Sequence, residues 1–318
     1  MKKLKIKFCD FWKYFHEESN YFYDLLSKFY DLEISDDPDI LIYSTYGTEY
    51  LKYNCIRIFY TAENMRPDFM GCDFAISFDY NDNPRHFRLP LYALYIDQHP
   101  GSLEKLKREK TKEEALSIWR SKTKFCCMVV SNPKSKKRID FFEKLSKYKK
   151  VDSGGTVLNN VGEPIKNKMD FIKDYRFVFA FENSAYPGYT TEKILEPFIA
   201  DSIPLYWGNP LIEMDFNVDS FLNFSSNKTE AEFIEEILAI ENDEEKAIQM
   251  LMQPNFILSE IPSDIDKERV LIFFGEILLK KNILKPIATT NMKYLHTFNL
   301  KKKYYINRFL EITKKSFR

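Results

Sequence analysis

The constraint that most narrows the fold is a rhythm. Short apolar runs, each too brief to make a helix, recur with helical or loop-like sequence between them. In the first third these runs are "LKIKF" (4–8), "DILIYS" (39–44), "CIRIFYT" (55–61) and "DFAISF" (73–78), with "YFYDLLSKFYDL" (21–32) between the first two. Short runs of this kind, separated by crossovers, read as strands of a parallel sheet with helices on its faces. A second series begins at "KFCCMVVSN" (124–132), passes through the helical pattern "KSKKRIDFFEKLSKYK" (134–149), and continues in "RFVFAF" (176–181), "SIPLYW" (202–207) and "FLNF" (221–224). Two such series in tandem predict an α/β chain of two Rossmann-like halves facing a central cleft.

A chain of 318 residues exceeds the usual size of one hydrophobic core, which agrees with two domains. Between the series lies "GSLEKLKREKTKEEALSIWRSKTK" (101–124), so charged that it reads as a solvated helix or an interdomain connection. The expected division is therefore an N-terminal domain with linker over 1–120, a second domain over 121–280, and a basic tail over 281–318. Sequence after about 229 is mostly helical in pattern.

The 47 Lys and Arg balance the 47 Asp and Glu, which argues against a nucleic-acid partner. The balance is uneven along the chain: 280–318 holds eleven Lys or Arg against one acid, Glu311. Five cysteines, Cys9, Cys55, Cys72, Cys126 and Cys127, sit in apolar or mixed runs without metal spacing, and read as buried free thiols of a reducing compartment. The opening "MKKLKIKFCDF" alternates Lys with apolar residues and lacks the apolar core of a secretory signal. No apolar run reaches the length expected of a membrane-spanning helix.

The densest chemistry lies in "FVFAFENSAYPGYTTEKILEPF" (177–198), where a buried strand gives way to a polar, Gly-containing loop and then a helix. Open α/β sheets bind ligands outside the carboxyl ends of their strands, and helix N-termini attract phosphate. Thr190 is the expected N-cap, which puts Lys193 in the first helical turn, where it opposes the helix dipole unless an anion is near. Pro197 should kink or shorten that helix. An ordinary capped connection is the competing reading.

Two further strand ends carry candidates. "VVSNPKSKKRIDFF" places Arg138, whose fork can grip a diphosphate, in a basic cluster that is otherwise an ordinary solvated face. "FYTAENMRPDF" places Glu63 after a strand in the first half, where a cap or turn role is the alternative to catalysis. Asp37-Pro38-Asp39 reads as a turn into a strand, and Gly154-Gly155 lacks dinucleotide-binding spacing. The four His are dispersed.

Taken together, "FAFENSAYPGYTTEKILEPFIADSIPLYWGNP" resembles the signature block of the α-1,3/4-fucosyltransferases, glycosyltransferase family 10, with F-E-N-S, G-Y-x-T-E-K and P-x-Y-W-G elements in order. The resemblance extends to "VVSNP" with its following arginine, "FYTAEN", "CDFAISFD" and "RLPLY", and covers roughly 55–215. It implies a GT-B fold: an N-terminal acceptor domain and a C-terminal domain for GDP-fucose. It further implies inverting transfer from GDP-β-L-fucose to the GlcNAc of an N-acetyllactosamine-like β-galactoside, as in Lewis-type fucosylation of a surface polysaccharide or lipopolysaccharide. Carried over by motif, Asn183, Tyr189, Glu192 and Lys193 contact the donor, Arg138 its diphosphate, and Glu63 is the catalytic base.

The expected alternatives are a related GT-B transferase of other donor or linkage, or an inactive nucleotide-sugar or glycan-binding protein. No tightly bound cofactor is expected; manganese could stimulate by pairing with the diphosphate. The chain lacks the N-terminal anchor of animal members and the heptad repeats of some bacterial ones, which points to a bacterial-type soluble enzyme of the cytoplasm. The tail "LKKKYYINRFLEITKKSFR" is expected to touch an anionic membrane at the cytoplasmic face, a solvated helix being the alternative.

Overall fold

The computed structural model describes residues 1–257 and 266–316. It opens with β1 (Lys2–Cys9), α1 (Tyr21–Leu26), β2 (Tyr30–Ile34), β3 (Ile40–Tyr43), β4 (Ile56–Tyr60), β5 (Phe74–Ser77) and β6 (His86–Arg88). These six strands form one sheet in the order β2-β1-β3-β4-β5-β6. Every pairing in it is parallel. The central strands β3, β4 and β5 are buried along their whole length, as strands covered on both faces must be.

The middle of the chain builds a second unit. It contains α2 (Leu91–Gln98), α3 (Ser102–Lys107), α4 (Lys112–Ser121), β7 (Lys124–Met128), α5 (Lys136–Leu145), β8 (Val151–Ser153), α6 (Lys168–Ile172), β9 (Tyr175–Phe181), α7 (Leu195–Ile199), β10 (Ile203–Trp207), β11 (Leu222–Asn223), α8 (Glu230–Glu241) and α9 (Glu244–Met252). Its five strands pair in parallel in the order β11-β10-β9-β7-β8. Phe141 of α5 packs on Phe179, Phe181, Phe224 and Phe233, an aromatic centre that ties two helices to the sheet.

The chain then returns to the first unit with α10 (Lys267–Lys280) and α11 (Met292–Ser316). Phe273 and Phe274 of α10 meet Phe74, Phe87 and Phe22. On α11, His296 is buried between the hydroxyl of Tyr50, 2.6 Å away, and the carboxylate of Asp68, 2.8 Å away. Among the described residues no helix is long and apolar enough to cross a membrane. All five cysteines are free and buried.

The compact units differ from the expected division in two places. The first unit comprises Met1–Ser77, Asn81–Leu89 and the chain from 266 onward, while 90–257 and Phe78–Tyr80 belong to the second. The charged segment 101–124 is not a connection. Thr111 and Glu114 close a capping box on α4, whose Ala115 and Trp119 enter the second unit's core, and its charges pair outward with α9 through Arg120–Glu244 and Lys112–Glu245. Nor do 267–280 belong to the second domain, because Val270, Phe273, Phe274 and Ile277 of α10 are buried in the first unit, and the expected tail is anchored there at its start by Ala288 and His296.

Candidate functional site

Strand β9 occupies the middle of the second sheet, so the chain leaving its carboxyl end emerges where helices no longer cover the strands. Glu182 extends the ladder by one bond, its N–H donating to Trp207 O at 2.7 Å. Its side chain is fully buried. The carboxylate accepts from the N–H of Thr191 at 2.7 Å, faces the Thr191 hydroxyl at 2.9 and 3.0 Å, and meets Lys193 Nζ at 3.3 Å. Burial still raises its pKa above the ordinary glutamate value, with Lys193 and Thr191 opposing the shift.

The loop between Glu182 and Lys193 is clipped from outside. Gly188 has φ of 81°, and a Cβ there would lie 2.4 Å from Phe78 O, so only glycine fits. Its N–H donates to Asn209 Oδ1 at 2.7 Å; the same oxygen accepts from Leu211 N, and the Asn209 amide donates to Thr190 Oγ1 at 3.2 Å. Gly208 is equally forced, since a Cβ would reach within 2.4 Å of Glu182 Cγ. The G-Y-T-T-E-K and Y-W-G-N-P segments are thus two sides of one structure.

Beside this loop is a cavity of about 270 Å³ at the carboxyl ends of β7 and β9, lined by Arg138, Lys168, Asn183, Glu192 and Lys193 together with the chain 129–132. Arg138, in the first turn of α5, is buried and donates through Nη2 to Phe181 O at 2.5 Å and Asn183 Oδ1 at 3.1 Å. Burial lowers its pKa, against Glu182, Tyr189 and Glu192. For Lys193 burial acts in the same sense, but Glu182 and Glu192 outweigh it and the net shift is upward, so the ammonium is retained. Burial would raise Glu192, yet Lys193 and its other partners hold it below the ordinary value. Lys168 pairs with Glu196, whose own pKa burial raises. Three cations at a strand end, in a low-dielectric wall, can take a polyanion.

The structure brings Arg138, Asn183, Glu192 and Lys193 together around this cavity and places the other two residues elsewhere. Tyr189 does not line it; the ring is 3% exposed and packs on Phe78 at 5.0 Å. Glu63 lies in the first unit, exposed, in the loop after β4, where its Oε1 accepts from the Tyr46 hydroxyl at 2.9 Å. The expected helix start is corrected: α7 begins at Leu195, so Thr190 is not its N-cap and Lys193 sits in the turn before it. Thr190 is instead bonded to Asn209. The five-residue α7 fits the shortening expected from Pro197. Sequence reasoning passed over Lys168, Glu182, Thr191 and Asn209. Glu182 carried a signal, a carboxylate directly after five apolar residues, whereas Lys168 comes from a distant helix start with none.

Two all-parallel α/β units, similar to those of solved α1,3-fucosyltransferases, define the fold as GT-B type. Profiles of the alpha-(1,3)-fucosyltransferase FucT N-terminal domain and of the glycosyltransferase family 10 (fucosyltransferase) C-terminal domain match residues 6–95 and 119–251. The chain belongs to glycosyltransferase family 10. It is 31% identical over 319 residues to the alpha-(1,3)-fucosyltransferase FucT of Helicobacter pylori, across 86% of this chain and 66% of that relative. The chain thus spans just under two thirds of that relative's length, and smaller shares of other curated relatives, 29% and 20% in two cases. A crystal structure of an alpha1,3-fucosyltransferase superposes with a TM-score of 0.77 at 28% identity, over 91% of this chain and 93% of that one. Another, with GDP-fucose, gives 0.73 at 26% identity over 91% of both.

Proposed function

We propose that the chain is an inverting α-1,3-fucosyltransferase that moves L-fucose from GDP-β-L-fucose to the GlcNAc of an N-acetyllactosamine-like glycan. The observation that carries this reading is the cavity holding Arg138, Lys168 and Lys193 at the ends of β7 and β9, in a chain similar to a fucosyltransferase seen with GDP-fucose. In the proposed reaction Glu63 takes the proton of the acceptor hydroxyl while that oxygen attacks the anomeric carbon and GDP leaves. Arg138 and Lys193 meet the negative charge that grows on the departing diphosphate, fixed in advance by their bonds to Phe181 O, Asn183, Glu182 and Thr191. Glu192, held ionised, is suited to sugar hydroxyls or to the positive charge developing on the ring. Tyr189, buried against Phe78, contributes to the scheme by packing in the loop that carries Glu192 and Lys193. The protein's own cations neutralise the diphosphate in this scheme, and added manganese would act on the nucleotide.

The acceptor is proposed to be a surface polysaccharide or lipopolysaccharide reached from the cytoplasmic side of a membrane. Helix α11 supports this: Lys301, Lys302 and Lys303 are exposed next to Tyr304 and Tyr305, with Phe298 and Ile306 also exposed. Retention of the chain by anionic but not neutral vesicles would support the membrane contact.

The deciding experiment incubates purified protein with GDP-fucose and N-acetyllactosamine or its isomer, and determines the product linkage. An α-1,3 product supports the reading. Tight GDP-fucose binding without transfer to any β-galactoside or GlcNAc acceptor would replace it with a binding protein, and another linkage with a related transferase. Glu63→Gln should bind GDP-fucose normally and turn over about a hundredfold slower or worse.

A further inference from the structure

Glu63 sits on an exposed loop, a poor place from which to abstract a proton unless the carboxylate is held. Its backbone is held first. The buried hydroxyl of Thr61 accepts from Glu63 N at 3.0 Å and donates to Glu63 O at 3.0 Å, while Thr61 N is bonded to Ile76 O on the neighbouring strand. Among the described residues the side chain is held by one hydrogen bond, from Tyr46 OH to Glu63 Oε1 at 2.9 Å.

Tyr46 is 53% exposed, yet its loop is built rigidly. Asp10, at the end of β1, adopts φ of 60°, a conformation that costs a non-glycine residue about 1–3 kcal/mol. In that conformation its carbonyl accepts from Tyr46 N at 2.9 Å and its two carboxylate oxygens accept from Glu49 N and Tyr50 N, each at 2.9 Å. Gly47 passes so close that a Cβ would lie 2.1 Å from Asp10 Oδ1. The two carboxylate bonds cap the short helical turn 49–52 that carries the buried Tyr50, and the carbonyl bond to Tyr46 N fixes the backbone from which the Tyr46 hydroxyl reaches Glu63.

We propose that Tyr46 is the positioning residue for the catalytic base, fixing Oε1 of Glu63 so that Oε2 faces the acceptor hydroxyl. The inference rests on the reading of Glu63 as the base. In the step, Oε2 takes the proton as the acceptor oxygen bonds to the anomeric carbon of fucose, and the carbon–phosphate-oxygen bond breaks with its electron pair leaving on GDP. Burial and then the bond to Glu63 push the Tyr46 phenol up to about 12, so it remains a donor at working pH.

The test measures transfer and GDP-fucose binding by the full chain as wild type, Tyr46→Phe, Glu63→Gln and the double variant. Tyr46→Phe keeps the ring and removes only the donor. It is expected to lower kcat about tenfold, with GDP-fucose affinity and melting temperature unchanged, since the lost interaction acts on the transition state. A group acting through Glu63 should add no further loss in the Glu63→Gln background. Unchanged kcat in Tyr46→Phe, or losses that multiply in the double variant, would overturn the role of Tyr46 while leaving Glu63 as the base. An active Glu63→Gln, or a wild type that transfers to no acceptor, would instead remove the underlying reading and the role of Tyr46 with it.

Discussion

Glu182 Oε2 and Lys193 Nζ lie 3.3 Å apart across the loop that joins β9 to α7, and each makes the burial of the other tolerable. Removing one partner of a buried pair leaves an uncompensated charge, which costs on the order of 3 kcal/mol. Glu182→Gln should therefore unfold at lower urea concentration by about that amount, and bind GDP-fucose less tightly as Lys193 and Thr191 lose their anchor. Unaltered stability in a denaturation series would show that Thr191 and Glu192 suffice to hold the lysine.

Lys168 reaches the cavity from the start of α6, held by Glu196. If the cavity takes a diphosphate, Lys168→Ala should weaken GDP binding about tenfold, the usual worth of one charge-assisted contact. The loss should shrink at high salt. Isothermal titration with GDP at two ionic strengths decides this; equal affinities for variant and wild type would place the nucleotide elsewhere.

Gly188→Ala forces a side chain into a left-handed backbone and against Phe78 O. The strain of such a residue is about 1–3 kcal/mol before the overlap is counted. The loop that carries Glu192 and Lys193 should shift, so donor binding should fall along with melting temperature. A fully active, equally stable variant would mean that the loop tolerates a different path.

Lys122 offers a pH signature. Its Nζ donates to Lys173 O, Ala200 O and Ser202 Oγ at 2.7, 2.8 and 3.1 Å, and burial lowers its pKa to about 8 from the usual 10.5. Between those values the unfolded chain binds more protons than the folded one, so this group makes stability rise with pH from about 8 to 10.5. Lys122→Met should lose that rise. Comparing unfolding free energies of the two proteins at pH 7 and pH 10 isolates the effect from the cysteines, which titrate in both.

The strands were legible because they need only a short apolar run and a breaker: β3, β4, β5, β10 and β11 lie within the expected runs, and β1 and β9 overrun theirs by one or two residues. Strand β7 ends at Met128 although Val129 and Val130 continue its apolar run, because pairing with β8 and β9 stops there. The segment around α4 misled for the opposite reason: its many charges hide Ala115 and Trp119, which are enough to dock a helix. Of the cavity, Arg138, Asn183, Glu192 and Lys193 were readable from local motifs. Lys168 was not, nor was Asn209, which clips the neighbouring loop, since their roles depend on chain that returns from far away. Tyr189 is expected at the donor from the resemblance alone, and the packing of its ring on Phe78 is a contact that sequence cannot show.

The return of α10 and α11 to the first sheet has a topological consequence. The second unit is an insertion within the first, bounded by Leu89 on one side and the region before Asp266 on the other. No single cut separates the two halves. A chain shortened after 257 would not be a clean loss of tail but would strip Val270, Phe273, Phe274 and Ile277 from the first unit's core, and with them the rings that α10 packs on Phe22 and Phe74. The half that carries Glu63 is therefore completed only by helices that follow, in the chain, the half that carries Arg138 and Lys193.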